Sequence, residues 1–381
     1  MSTTSSSITA RIINNIVEWA TELKDATRGL TQSEEIRVWN DLAGDEGRRR
    51  TFGTDGREYF SQDLYEPEDL VRDALTDLHI EIDELPSKQS YALRKALRMS
   101  PEYVMNRNFC LKFLRAEQFD APLAAVRMAL HFEEKLSLFG QEKLVREILL
   151  SDLDEDDMDC LKTGYLQVLK ELDFGHRRVI FYYHALSECY KQRENVLRSL
   201  WYVFNAISSS EDVQKLGVTN VVYNLGGFPK NGMDYEKTRR VARLIKTFPV
   251  RFCSFYPCIN SRAWALVVDT FSVMSSMYLR FRLRVIKGDH EWVMLKLKAI
   301  GIPSEALPVT SESKLLIGDH LQWIEDQKKK EESSSEEPPH KRTRAERNDT
   351  TEKMPELLTS TSLSLERRNR KMIASQMKPY Q

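Results

Sequence analysis

The chain has 381 residues, 30% of them charged and 41% hydrophobic, with a formal net charge of −1. That length has room for one sizeable α/β core with an extension or tail, and the near-zero charge argues against a surface built throughout to hold nucleic acid. Five cysteines (Cys110, Cys160, Cys189, Cys253 and Cys258) share no repeated pair spacing, as expected of free thiols in a reducing compartment.

No apolar run approaches the roughly 18–20 residues that span a bilayer. Near the start, Ile12, Ile13, Ile16, Val17, Ala20 and Leu23 recur at helical spacing behind a Ser/Thr-rich patch. This is the pattern of an amphipathic docking helix, and it lacks the charged, apolar and small-residue regions of a secretory signal. Residues 1–99 read as a charged, partly helical extension that includes GRRRTFGTDG and the periodic piece PEDLVRDALTDLHIEIDEL. Residues 100–150 read as a helical module. Phe109, Leu111, Phe113 and Leu114, then Leu123, Val126, Leu130 and Phe132, mark two helices joined across residues 118–122. Asp120 is the expected N-cap, and Pro122 falls in the first turn, where its missing N–H costs least.

The acidic run SDLDEDDMD (151–159) fails as a calcium loop, because Asp157 stands where the turn needs glycine and Thr163 where a bidentate Glu should close it. It predicts a connector or helix start. Residues 151–325 then alternate. GYLQVLKELD, RRVIFYYHAL, GVTNVVYNLGG, PVRFCSFYPCIN and RLRVIKG read as strands, separated or followed by helices at RENVLRSLWYVFNAISSSEDVQ, MDYEKTRRVARLIKTF, SRAWALVVDTFSVMSSMYL and HEWVMLKLKAIG. Such alternation predicts an α/β fold, a mostly parallel sheet with flanking crossover helices. Residues 326–381 are almost without apolar content and are expected to be a disordered charged tail.

Catalytic motifs are missing from this alternation. There is no GxxxxGK[ST] and no GxSxG, and GGFPKNG lacks the glycine spacing and hydroxyl of a phosphate cradle. Neither Cys253 nor Cys258 is followed at the sixth position by arginine, since Ile259 and Trp264 stand there. The seven histidines, His184 among them, pair with no other ligand at metal spacing. The chain is therefore read as a non-enzyme with no catalytic residue, metal or cofactor. One stretch stands out: FPVRFCSFYPCINSRAWALVVDTF (248–271). Simple alternation places Phe252, Ser254, Tyr256 and Cys258 on one strand face, with Arg251, Cys253 and Phe255 on the other. A strand apolar on both faces fits either a doubly covered core or the wall of a cavity.

The order of these segments, opening with NFCLKFLRAEQFD (108–120), resembles the CRAL-TRIO family of lipid-binding domains, whose N-terminal module typically reads L-L-R-F-L-R-A-R-K-F-D. The resemblance covers roughly residues 100–310. It implies a sheet-floored bowl under an amphipathic gate helix, here at about residues 261–279. The implied cavity residues are Phe181, Tyr183, Val222, Phe252, Ser254, Tyr256, Cys258, Trp264, Val268, Phe271, Met274, Met277 and Tyr278. Methionine suits a wall that repacks around its contents. Members that bind phosphatidylinositol carry a glutamate near the start of the floor strand and a lysine in the gate. Val250 and DTFSV stand there, which argues against that ligand and leaves sterols, tocopherol-like, retinoid-like or other lipids open. Arg280, Arg282 and Arg284 fall on one side of an extended segment, the pattern either of an anionic-membrane docking row or of a solvated edge.

The expected role is thus the binding and intermembrane transfer, or sensing, of a hydrophobic lipid by a cytoplasmic protein that visits membranes. The alternative is a scaffold that binds a signalling protein such as a small GTPase. The tail's KKK and KRTR, ten residues apart, match a bipartite nuclear-import pattern.

Overall fold

The computed structural model describes residues 66–186, 190–225, 228, 234–274 and 282–336. The expected docking helix, GRRRTFGTDG, Cys189 and the basic KRTR cluster lie outside them.

Among the described residues, five helices come first: α1 (Glu68–Glu84), α2 (Tyr91–Met99), α3 (Pro101–Val104), α4 (Arg107–Ala116) and α5 (Ala121–Phe139). Asn106 caps α4 by accepting from the Asn108 and Phe109 amides, and Asp120 caps α5 by accepting from Leu123 N at 3.1 Å. The apolar faces close on one core that includes Leu78, Leu93, Phe113, Ala125 and Phe132. The expected boundary near residue 100 runs through this core. Val71, Ala74, Leu78 and Ile82 recur every three or four residues within the charged stretch and bury one stripe of α1 against the later helices.

Next comes α6 (Glu155–Lys162), started by the acidic run. Asp154 accepts from Asp157 N while Asp157 reaches back to Asp154 N, a reciprocal cap. The sheet follows: β1 (Leu166–Leu172), β2 (Arg178–Tyr183), α7 (Arg193–Ile207), α8 (Glu211–Leu216), β3 (Val218–Asn224), α9 (Tyr235–Ile245), β4 (Phe252–Ile259), α10 (Arg262–Met274), β5 (Ile286–Lys287) and α11 (His290–Ala299). Strand order in space is the order in the chain; β1 pairs antiparallel with β2, and the other pairs are parallel.

That unreversed order positions the site. Right-handed crossovers that always step in one direction carry their helices to the same face. One sheet face is accordingly covered by α7, α9 and α10, and the other packs on α11 and residues 302–309. Among the described residues the strand order has no reversal of the kind that opens a nucleotide crevice at the strand ends.

The last helix among the described residues, α12 (Gly318–Glu336), continues past Asp326, where a disordered tail is expected. The run EDQKKKEE is, apart from Asp326, made of strong helix formers without a breaker, and Gln322 donates to Asp326 across one turn at 2.9 Å. Residues 329–336 belong to a second unit of the chain, 329–381.

Candidate functional site

Between the sheet and its three helices lies a cavity of about 110 Å³. Its floor is Tyr182, Val222, Phe255 and Pro257 with Leu283; its sides are Val196 and Leu200 of α7 and Val241 and Ile245 of α9; its lid is Val267, Val268 and Phe271 of α10. The wall is apolar almost throughout. An engineered apolar void of roughly 150 Å³ admits benzene, so this one is large enough for part of an apolar molecule.

An irregularity in β4 decides which face of that strand meets the cavity. Val218 pairs with Phe252 but Thr219 pairs with Ser254, so β4 carries one extra residue, Cys253. This is a bulge, and beyond it every side chain changes face. Phe252 therefore shares a face with Phe255, their rings stacked at 5.6 Å, and Phe255 and Pro257 point to the cavity. Ser254, Tyr256 and Cys258 point away. The simple alternation expected from the sequence is corrected on this point.

Pro257 interrupts the sheet on its other side. Phe255 N donates to Arg282 O, and Arg284 N donates to Phe255 O, each at 2.8 Å. Two residues on, the proline faces the same neighbour with no N–H to give, and β5 pairing is split into a single bridge at Leu283 and the two-residue strand.

Of the residues expected in the wall, Val222, Val268 and Phe271 line the cavity. Phe252 lies below it in the core, 5.1 Å from the Phe204 ring. Trp264 is fully buried behind the lid, its ring 4.9 Å from Phe228 and 5.0 Å from His184. Phe181 and Tyr183 lie with Tyr256 and Cys258 on the opposite face, in the core under α11. Ser254 belongs to a buried polar layer there: its hydroxyl meets Thr219 Oγ1 at 3.3 Å, and Thr219 donates to Asp173, which also accepts from Arg177 at 2.8 Å. The side chains of Met274, Met277, Tyr278 and Arg280 lie outside the described residues.

The expected docking row is corrected as well. Arg282 is fully buried and Arg284 half-buried, so neither is a freely exposed cation. The backbone bonds of Phe255 to Arg282 and Arg284 hold the segment against the sheet, which alternation alone does not reveal.

Several wall residues escape a reading by motif. Tyr182, Asn224, Lys237, Thr238, Pro257 and Leu283 all line the cavity. Thr238, Val241 and Ile245 recur at helical spacing in α9, the one signal in the sequence for that side. His184, expected as an ordinary histidine, also borders the cavity. Burial and the nearby Lys237 charge press its pKa down to about 3, against an opposing contact with the Asn224 amide, so the ring is neutral. Burial pushes the Tyr182 hydroxyl well above its usual range, and burial alone raises the Cys258 thiol, which keeps it inert.

Among the described residues, no group of three His, Cys, Asp or Glu side chains is placed to hold a metal ion. Nor is any helix among them long and apolar enough to cross a membrane. No family model matches the chain, and no curated protein matches it. Among solved structures, 24 chains match. One is the crystal structure of Sfh5, at 12% identity and a TM-score of 0.34, with 57% of this chain and 81% of that chain covered.

Proposed function

We propose that this chain is a CRAL-TRIO-like, non-enzymatic lipid-binding protein that holds an apolar ligand between its sheet and α10 and exchanges it with membranes. The observation that carries the proposal is the apolar cavity under α10; the segment order and the NFCLKFLRAEQFD motif support the family reading.

The energetics require a covered cavity. Drawing a chain of about sixteen methylenes from a bilayer into water costs on the order of 13 kcal/mol, at roughly 0.8 kcal/mol each. Moving it into a dry protein cavity is close to neutral, leaving lid opening as the barrier. Ligand pockets commonly measure about 300–1,000 Å³, well above the 110 Å³ present here. Full occupancy therefore entails an outward shift of α10, and α10 packs through a small satellite cluster of its own, Trp264, Val267 and Val268 with Ile259.

The test is organic extraction of the purified full chain followed by mass spectrometry, with uptake from labelled vesicles alongside. A near-stoichiometric lipid other than phosphatidylinositol is expected. A chain that emerges dry and takes up nothing from vesicles overturns the reading, and capture of a protein partner by that dry chain would establish the scaffold alternative.

A further inference from the structure

Four large apolar residues of α5, Leu123, Val126, Leu130 and Phe132, recur at helical spacing, and only Phe132 is fully buried. The helix packs on the module chiefly through Ala121, Ala124, Ala125, Met128 and Phe132. Leu123 and Val126 point outward at 47% and 44% exposure, and Leu130, one turn on, is partly buried. The same face runs on through Glu133 and Ser137, which border a groove of about 490 Å³ between α5 and the outer side of α9. The charges of that groove are matched in pairs: Arg239 forks onto Glu236 at 2.9 and 2.7 Å, Arg243 meets Glu134 at 2.6 Å, and Arg240 meets Glu194. Apolar residues scattered singly on a surface need no explanation. Three in line on one helix, leading into a groove, form a track with the spacing that receives an amphipathic helix.

We propose that residues 12–23 of this same chain cover the track, setting the apolar stripe of Ile12, Ile13, Ile16, Val17, Ala20 and Leu23 on Leu123, Val126 and Leu130. The proposal goes beyond the ligand reading and does not depend on it. That segment lies outside the described residues, and the described chain begins where the track begins. Glu66 is held in a fork by Arg115 at the end of α4, at 2.8 and 2.7 Å, and α5 starts after a four-residue turn, tied back to it by Arg127 on Glu117. Forty-two residues (24–65) separate the segment from Glu66. Extended chain covers up to about 3.3 Å per residue, and the 19-residue α5 is about 28 Å long, so the whole track is within reach. A tethered segment also competes well against a second copy of the chain, because the tether fixes its local concentration while that of the copy falls on dilution. An anionic membrane fits less well, since the acidic Glu133 continues the same face.

The experiment is amide hydrogen exchange of the full chain, read by mass spectrometry beside a synthetic peptide of residues 1–30. Amides of residues 12–23 are expected to exchange at least about tenfold more slowly in the chain than in the peptide. In Leu123→Asp/Val126→Asp that slowing should vanish while α5 itself exchanges as in the parent. Equal rates in chain and peptide overturn the proposal. So does slowing that survives the double substitution, which would place the segment elsewhere, and so does slowing that fades on strong dilution, which would give the face to a second copy. Where the double variant folds poorly, a full chain carrying Val126→Cys keeps the test open. Adding Ile13→Asp and Ile16→Asp to it should speed maleimide labelling of that thiol at least about tenfold, and an unchanged labelling rate overturns the proposal.

Discussion

Between α8 and β3, Gly217 holds φ at +79°, and a Cβ there would stand 2.5 Å from the Arg251 carbonyl oxygen and 2.6 Å from Cys253 Sγ. Cys253 is the extra residue of the β4 bulge, and its thiol donates to Leu216 O at 3.2 Å. A bare glycine thus admits the bulge, and the bulge turns Phe255 and Pro257 toward the cavity. Gly217→Ala meets both a left-handed backbone and a backbone clash, so a loss of more than about 1 kcal/mol is expected, read as a lowered urea midpoint. Choice of face gives a second prediction. Val222→Phe projects a larger ring into the void and should abolish lipid uptake while thermal stability stays near that of the parent. Ser254→Ala, on the opposite face, should cost about 1 kcal/mol for its lost hydrogen bond and leave uptake unchanged. Uptake lost in Ser254→Ala and kept in Val222→Phe would place the ligand under α11.

Among the elements, α10 is the one whose inner side chains meet both the cavity and the satellite cluster. Trp264 anchors it, buried against Phe228 and His184, while Leu266 on its outer side is 60% exposed. Removing a buried Trp costs about 3–5 kcal/mol. In a satellite cluster, that loss falls mainly on local opening, so Trp264→Ala should speed release of a loaded ligand to acceptor vesicles, measured as a transfer rate, more than it lowers the melting temperature. Equal loss of both would make α10 an integral part of the core. The elements themselves were legible in the sequence. Asp120 caps α5 and Asp154 starts α6 because capping is local chemistry, and RRVIFYYHAL and GVTNVVYNLGG announce buried strands by their branched and aromatic content. The cavity face was not legible, since a period of two carries no mark of where one residue has been inserted. Arg282 likewise looks like a surface cation until the pairing of its backbone with Phe255 fixes where its segment lies.

At the scale of the molecule, the helical module and the sheet are joined by buried polar and aromatic contacts. Arg115 of α4 donates to Glu66 through Nε and Nη2 and to Gln214 of α8 through Nη1, and Arg127 of α5 donates to the Phe248 carbonyl at 2.8 Å. Beside them, His131 of α5 lies among Phe113, Phe132 and Trp201, 4.7 Å from the Trp201 ring of α7. Burial holds its pKa well below the ordinary value, the Lys135 charge and, less, the Lys112 charge press the same way, and hydrogen bonding to the Thr247 backbone opposes them. The imidazole is therefore neutral in the folded chain, whereas in the unfolded chain it titrates near about 6.5. The unfolded state thus binds more protons below that pH. The contribution of His131 to stability is complete above about pH 6.5 and declines as pH falls toward the folded value, at up to about 1.4 kcal/mol per pH unit. His184, His79 and His320 are lowered too, so the parent slope is a sum. The share of His131 is the difference between parent and His131→Leu. Urea unfolding at pH 7.5 and 5.5 should show the parent losing about 1 kcal/mol more than the variant over that interval. Identical losses would mean that the ring takes up its proton in the folded state, which would require water to reach the seam between α5 and α7.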